Sequence, residues 1–256
     1  MGKIICSKKS YAKVNIFLKI VGRRDNYHLL ASRFIMVKTL FDEISFKQGD
    51  FTTFILDGQF GCSLEKNTIY KAYCELCKLS KKVEEFFTTH KVIVGKNIPY
   101  FAGLGGGSSN AATFILMVND ILELNLSKET MAQIGLKIGA DVPFFIYEYN
   151  SANVSGVGEI VEQFDENLIN LEITTPKIIC DTGKIFTTFR EKYYNETSQK
   201  EADILFSMKS SDILRNYSKE YLNDLYLPAR DINLDLTMPD GWFFSGSGSS
   251  FFRIKN

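Results

Sequence analysis

The sequence predicts an α+β fold in two domains. Three observations carry this: the first half is rich in strand-like stretches, helical spacing occurs in separate blocks, and strands and helices do not alternate as a doubly wound parallel sheet requires. Over residues 10–21 the run Ser-Tyr-Ala-Lys-Val-Asn-Ile-Phe-Leu-Lys-Ile-Val puts Val14, Ile16 and Leu18 at every second position. That alternation makes a strand and turns Lys13 and Asn15 to one face. Further strands are expected over 34–40, 42–47, 51–56 and 90–94. A helix is expected over 67–81. A second follows the glycine run, where Phe114, Ile115, Val118, Ile121 and Leu122 recur at helical spacing, and a third starts after Ser127, a capping residue, and ends near Gly139. Beyond residue 149 the composition shifts: a strand region over 167–180 is followed by helix-like segments over 184–194, 201–206 and 212–226. The chain closes on Trp242-Phe-Phe, Ser245-Gly-Ser-Gly-Ser-Ser and Phe251-Phe-Arg-Ile. The expected domains are residues 1–155 and 156–256.

A chain of 256 residues is long enough to bury two modest cores, and its 45% apolar and 23% charged content is that of a globular protein. Thirty Lys and Arg balance thirty Asp and Glu, so no global field attracts nucleic acid or an anionic membrane, and any phosphate binding must be local. No apolar run reaches the length of a membrane helix, and the start is too soon charged for a signal peptide, so a cytoplasmic location is expected. The five cysteines are an odd number in a chain too long for a disulfide scaffold, which points to reduced thiols. Cys74-x-x-Cys77 lacks a second ligand pair, and it reads as two half-buried thiols on a helix, with zinc or redox chemistry as the alternative.

Gly103-Leu-Gly-Gly-Gly-Ser-Ser109 lies between a strand and an amphipathic helix. Glycines there turn backbone N–H groups toward the helix N-terminus, where an anion binds without a basic side chain. A plain turn does not need four glycines in five residues. The Walker A and Rossmann patterns both fail, because Gly107 precedes Ser108 where a Lys is required and Ser108 stands where a third Gly is required. The loop is expected to hold phosphate in some other class of enzyme.

Pro99-Tyr100-Phe101-Ala102-Gly103-Leu104-Gly105-Gly106-Gly107-Ser108-Ser109 resembles the second, ATP-binding motif of the GHMP kinase superfamily of small-molecule kinases. Ala12-Lys-Val-Asn15 looks like the first motif and Gly246-Ser-Gly248 like the third. The likeness is strongest to the branch that acts on a cytidine diphosphate-linked methylerythritol. Asp25-Asn-Tyr27-His28, Gly139-Ala-Asp141-Val-Pro143-Phe and Gly156-Val-Gly-Glu159 carry it, with Thr182-x-x-x-Phe186 on the substrate side. The resemblance implies a ribosomal-protein-like N-terminal domain that binds ATP and a ferredoxin-like C-terminal domain, with ATP and Mg²⁺ as cofactors and a place in isoprenoid precursor synthesis. The chain ends eight residues after Gly248, where relatives continue through a further helix and strand, so a short second domain is expected.

The resemblance also implies roles. Phosphoryl transfer needs positioning, charge neutralisation and a proton acceptor. The positions matching Asp141 and Lys13 supply the base and the cation, although Asp141 before Val-Pro is also a plausible helix cap and Lys13 an exposed strand lysine. Asn15 is matched to substrate, Asn67 to the nucleotide or to a cap, and Ser108 and Ser109 to phosphate or Mg²⁺ as well as capping. Tyr27 and Phe186 would flank a cytosine ring whose edge His28 meets, and Thr182, Gly246 and Gly248 would touch substrate. No metal ligand is assigned. Other readings stay open: a homoserine- or mevalonate-type GHMP kinase, a catalytically silent nucleotide and sugar sensor, and an RNA-binding module, which the charge balance disfavours.

Overall fold

A computed structural model describes residues 2–25 and 27–255, so Asn26 of the Asp25–His28 block lies outside the described residues. The backbone divides into two compact units. The first comprises the segment up to Ala12 with Lys38–Tyr100 and Gly106–Glu148; the second comprises Lys13–Val37, Phe101–Gly105 and the chain from Tyr149 onward. Compactness thus groups pieces from distant parts of the chain, whereas the sequence reading divided it once, between 155 and 156.

The first two strands are long. β1 (Ile4–Arg24) contains the expected stretch and extends it at both ends, and β2 (Tyr27–Gln48), which pairs with it, runs unbroken where two strands were expected. Asp42, inside β2, is fully buried yet tolerated, because its Oδ1 accepts the Asn97 and Ile98 N–H groups at 2.7 and 2.8 Å and its Oδ2 pairs with Lys96. In the first unit β4 (His90–Gly95) pairs antiparallel with β2, from Glu43↔Gly95 to Gln48↔His90, and parallel with the short β3 (Leu56–Gly58). The strand expected over 51–56 is otherwise absent. Its apolar residues are used in ring packing instead, with Phe54 stacked on Tyr73 at 4.1 Å and edge-on to Phe87 at 5.2 Å.

The first unit's helices are α1 (Thr68–Cys77), α2 (Lys81–Phe86), α3 (Gly106–Ile121), α4 (Lys128–Leu136) and α5 (Val142–Tyr147). The helix expected over 67–81 stops at Cys77, and α4 starts where Ser127 accepts the Thr130 N–H. Every residue of α3 from Ser109 to Val118 is buried, so this helix is the spine of the unit.

In the second unit the earlier part of β2 pairs antiparallel with β5 (Ser151–Gly156), from Leu30↔Gly156 to Ile35↔Ser151, and β5 with β6 (Ile160–Gln163). A separate three-stranded sheet has the order β7 (Leu171–Thr174), β9 (Phe251–Ile254), β8 (Phe243–Phe244). Its helices are α6 (Thr182–Thr188), which continues into a π turn over Phe189–Tyr193, then α7 (Gln199–Ser207), α8 (Ser210–Asn216), α9 (Lys219–Leu222) and α10 (Tyr226–Ile232). Ser198 and Glu201 close a reciprocal capping box on α7. The single segment expected over 212–226 is therefore broken: it holds most of α8, all of α9 and only the first residue of α10. Their core gathers Leu18, Ile20, Ile185, Phe189, Phe244 and Phe251. Among the described residues no helix is long and apolar enough to cross a membrane.

Candidate active site

In the first unit the glycine run opens α3 directly, with Gly106 as its first residue. A Cβ on Gly106 would come 2.8 Å from Ile98 Cγ2, so this glycine is required by packing as well as by any ligand. Gly107 differs: it is exposed, and a Cβ there would meet only Thr68 at 3.5 Å, an ordinary contact. Thr68 Oγ1 donates to the Gly107 carbonyl at 2.7 Å and so fixes the start of α1 beside the run. Asn67, buried, caps α1 by accepting the Ile69 N–H at 2.9 Å.

Beneath the run lies a buried polar chain that the sequence reading missed. Lys96 Nζ donates to Asp42 and to Asn110 Oδ1 at 3.1 Å, Asn110 Nδ2 donates to Asp42 and to Ser10 at 2.9 Å each, and Ser10 donates to Ser109 at 2.8 Å. Ser109 is thereby committed to the interior, leaving Ser108, half-buried, as the hydroxyl at the loop's outer side. Ser108 faces the segment that leads into α5: a Cβ on Gly139 would lie 3.5 Å from its Oγ. Asp141 occupies the N-cap position of α5 with Pro143 in the first turn, yet its side chain makes no capping bond. The cap reading of Asp141 therefore has its position right and its hydrogen bond wrong. Pro99 and Tyr100 are exposed, and the Tyr100 hydroxyl donates to the Gln59 carbonyl.

The second unit brings the first and third motifs together. Lys13 and Asn15 are both buried, contrary to the exposed-lysine reading; Lys13 Nζ donates to Asn15 Oδ1 at 2.6 Å and lies 4.5 Å from the Phe34 ring centre, and Asn15 Nδ2 donates to Ser32 Oγ at 3.0 Å. The Lys13 N–H donates to the Leu104 carbonyl at 2.9 Å. Gly103, at φ +71°, has no room for a side chain, since a Cβ would strike the Ser245 carbonyl and lie 2.8 Å from the Gly248 nitrogen. Ser245 Oγ donates to the Gly103 carbonyl at 3.0 Å, and the Ser250 N–H to the Ala102 carbonyl at 3.1 Å. Residues 101–105 and the Gly246–Gly248 turn are thus one structure, which Thr182 joins through Ser247 at 2.7 Å. Phe101 and Gly105 both have positive φ, +51° and +69°.

Of the expected base pocket, His28 and Phe186 meet, stacked at 5.3 Å between ring centres, with Phe189 edge-on to His28 at 5.7 Å. Tyr27 is 66% exposed. Burial, then the nearby Arg23 and Arg190 charges, hold the His28 imidazole below its ordinary pKa, so the ring is neutral at pH 7. Its Nε2 is buried with no hydrogen-bond partner among the described residues. An orphaned ring nitrogen beside a stacking face is an arrangement suited to the polar edge of a planar heterocycle.

A family model described as GHMP kinases N terminal domain matches residues 67–149, the span that holds Asn67, the glycine run and Asp141. The 4-diphosphocytidyl-2-C-methyl-D-erythritol kinase of Sulfurimonas denitrificans is 49% identical over 96% of this chain and 96% of its own. The chain belongs to the 4-diphosphocytidyl-2-C-methyl-D-erythritol kinase family. The enzyme of that name from a Sulfurovum species is 47% identical over 98% of this chain and 99% of its own. A crystal structure of a 4-(cytidine 5'-diphospho)-2C-methyl-D-erythritol kinase superposes with a TM-score of 0.74 at 24% identity, covering 97% of this chain and 90% of that one, and this likeness gives the two-domain GHMP kinase fold.

The contrast between Gly106 and Gly107 yields a test within this family member. Gly107→Ala should leave the fold as stable or raise stability by up to ~1 kcal/mol, because alanine favours a helix. If the run holds phosphate, it should nevertheless weaken ATP binding, since a methyl group would then stand in the way of the backbone's approach. Isothermal calorimetry with ATP, beside a thermal melt, reads both; unchanged ATP affinity would move the phosphate site away from Gly107.

Proposed function

We propose that this chain transfers the γ-phosphoryl group of ATP to the 2-hydroxyl of 4-diphosphocytidyl-2-C-methyl-D-erythritol, in the cytoplasm, as a step in isoprenoid precursor synthesis. The observation that carries this reading is the 49% and 47% identity, over nearly the whole chain, to enzymes of that name. Residues 1–155 would serve the nucleotide and residues 156–256 the acceptor. The Gly105–Ser108 stretch would receive the ATP phosphates, Asp141 would take the proton of the attacking hydroxyl, and Lys13 would offset negative charge developing near it. Asn15, Thr182 and the Gly246–Gly248 turn would hold the acceptor, while Phe186, His28 and Tyr27 would take the cytosine.

Mg²⁺ is implied with ATP, and the residues present fit it. Ser108 and Asp141 would offer oxygen donors to an ion held largely by nucleotide phosphates. When bound, the ion neutralises charge on the phosphoryl oxygens.

A turnover assay should offer ATP with the cytidine substrate, its uridine analogue, homoserine and mevalonate separately. The cytidine compound should be used and the uridine analogue should have a kcat/KM at least ~10-fold lower, because exchanging donor and acceptor at one ring edge leaves buried polar groups unpaired at ~1 to 3 kcal/mol each. Equal use of both bases would remove His28 and Phe186 from base selection, and preference for homoserine or mevalonate would overturn the substrate.

A further inference from the structure

We propose that Asn223 is a positioning residue for phosphoryl transfer, its amide holding the Gly246–Gly248 turn against Asn15 and Gly103 and so fixing where the accepting hydroxyl sits. The inference rests on the reading of function above. Asn223 is buried, and its Nδ2 donates to the Phe244 carbonyl just before the third motif and to the Gly246 carbonyl within it, at 3.0 Å each. Its Oδ1 accepts the Leu225 N–H at 2.9 Å. Two donors and one acceptor on a single neutral, planar group is a combination that only Asn and Gln provide, and Gln is a methylene longer. Neither a hydroxyl nor a carboxylate reproduces it.

The amide is anchored on the strand that carries Lys13 and Asn15. Leu18 of β1 bridges to Asn223 in parallel, the Asp224 N–H donates to the Leu18 carbonyl at 3.0 Å, and the Ile20 N–H donates to Asp224 Oδ2 at 2.8 Å. Lys19, buried, pairs with Asp224 and donates to the Tyr221 carbonyl at 2.8 Å. The far side of the turn is equally constrained: a Cβ on Gly246 would lie 3.0 Å from the Gly103 carbonyl and 3.3 Å from Asn15 Oδ1, the atom that holds Lys13 Nζ. A turn released from Asn223 would therefore shift against the very groups proposed to hold the acceptor. Small misplacement of a reacting group costs turnover more than binding.

The test uses Asn223→Asp, the same shape without donors, and Asn223→Ala, which adds no buried charge. Leu225→Ala is the control, because Leu225 is buried in the same segment and bonds Asn223 only through its backbone N–H, which the substitution keeps. At saturating ATP, and at temperatures of equal folded fraction, kcat of the Asn223 variants should fall ~10- to 100-fold while acceptor KM and calorimetric affinity for cytidine diphosphate stay within ~threefold. The control should keep kcat within the same threefold. An equal fall in Leu225→Ala, normal kcat in folded Asn223→Ala, or failure of both Asn223 variants to fold would overturn the proposal, since Asn223 would then be inert or merely structural. Absence of turnover in the unsubstituted chain would overturn the reading of function and this inference with it, and is distinguishable because it precedes any substitution.

Discussion

Asp141→Asn is expected to lower kcat by ~10² to 10⁴ while changing substrate affinity far less. The amide keeps the size of the carboxylate and can still hydrogen-bond, but it cannot take a proton. The start of α5 is set by Pro143 in its first turn and by the Val142 N–H on the Gly139 carbonyl, both of which the substitution keeps. Lys13→Met should also lower kcat, and its stem would remain compatible with the Phe34 ring beside it. If both residues serve one proton-transfer unit, the double variant should be little worse than the more damaged single. Measuring kcat and ligand affinity for both singles and the double, with folding checked by circular dichroism, decides this. Near-normal kcat in folded Asp141→Asn would leave positioning and charge neutralisation to carry the transfer, which a largely dissociative transition state permits.

How much of this was legible in the sequence depended on whether the information was local. The β1 alternation, the Asn67 and Ser127 caps and the helix after the glycines are short-range signals, and each element formed where its residues indicated. Tertiary contacts overrode local pattern elsewhere. Asp42 sits in the middle of a strand because Lys96 and two backbone N–H groups from another segment satisfy it, and nothing near residue 42 in sequence announces those partners. The stretch over 51–56 is rich in strand-forming residues, yet Phe54 packs on the Tyr73 and Phe87 rings outside any strand.

The candidate site divides along the same line. Glycines announce themselves, because a positive φ or a close backbone approach excludes every other residue, as at Gly103 against the Ser245 carbonyl. The residues that hold those glycines do not. Asn223 and Asn110 are ordinary polar residues in sequence, recognisable only when burial forces every donor to be counted. His28 shows the converse: the sequence singled it out, and the feature that supports a ligand role, a buried Nε2 without a partner, is visible only in three dimensions.

Arg33→Met should destabilise the chain by ~3 to 5 kcal/mol, the cost of leaving an uncompensated buried charge. The Arg33 guanidinium is wholly buried against the Phe164 ring, 3.4 Å from its centre, and its N–H groups reach Asn153 Oδ1 at 2.6 Å and the Phe206 and Met208 carbonyls at 2.8 and 3.2 Å. Burial pushes its pKa down to about 10, against the pull of Glu166, so it remains a cation at neutral pH. Its carboxylate partner, Glu166 at 3.5 Å, is almost as buried and also accepts from Ser151 Oγ at 2.6 Å and the Ser210 N–H at 2.8 Å. Removing Arg33 leaves that carboxylate buried without its cation. Arg33→Met combined with Glu166→Gln should be less unstable at neutral pH than Arg33→Met alone, because the second change removes the stranded charge. Urea unfolding of the two singles and the double at neutral pH separates these terms; a double no better than Arg33→Met would place the loss in the severed carbonyl contacts and the Phe164 packing instead of in the charge.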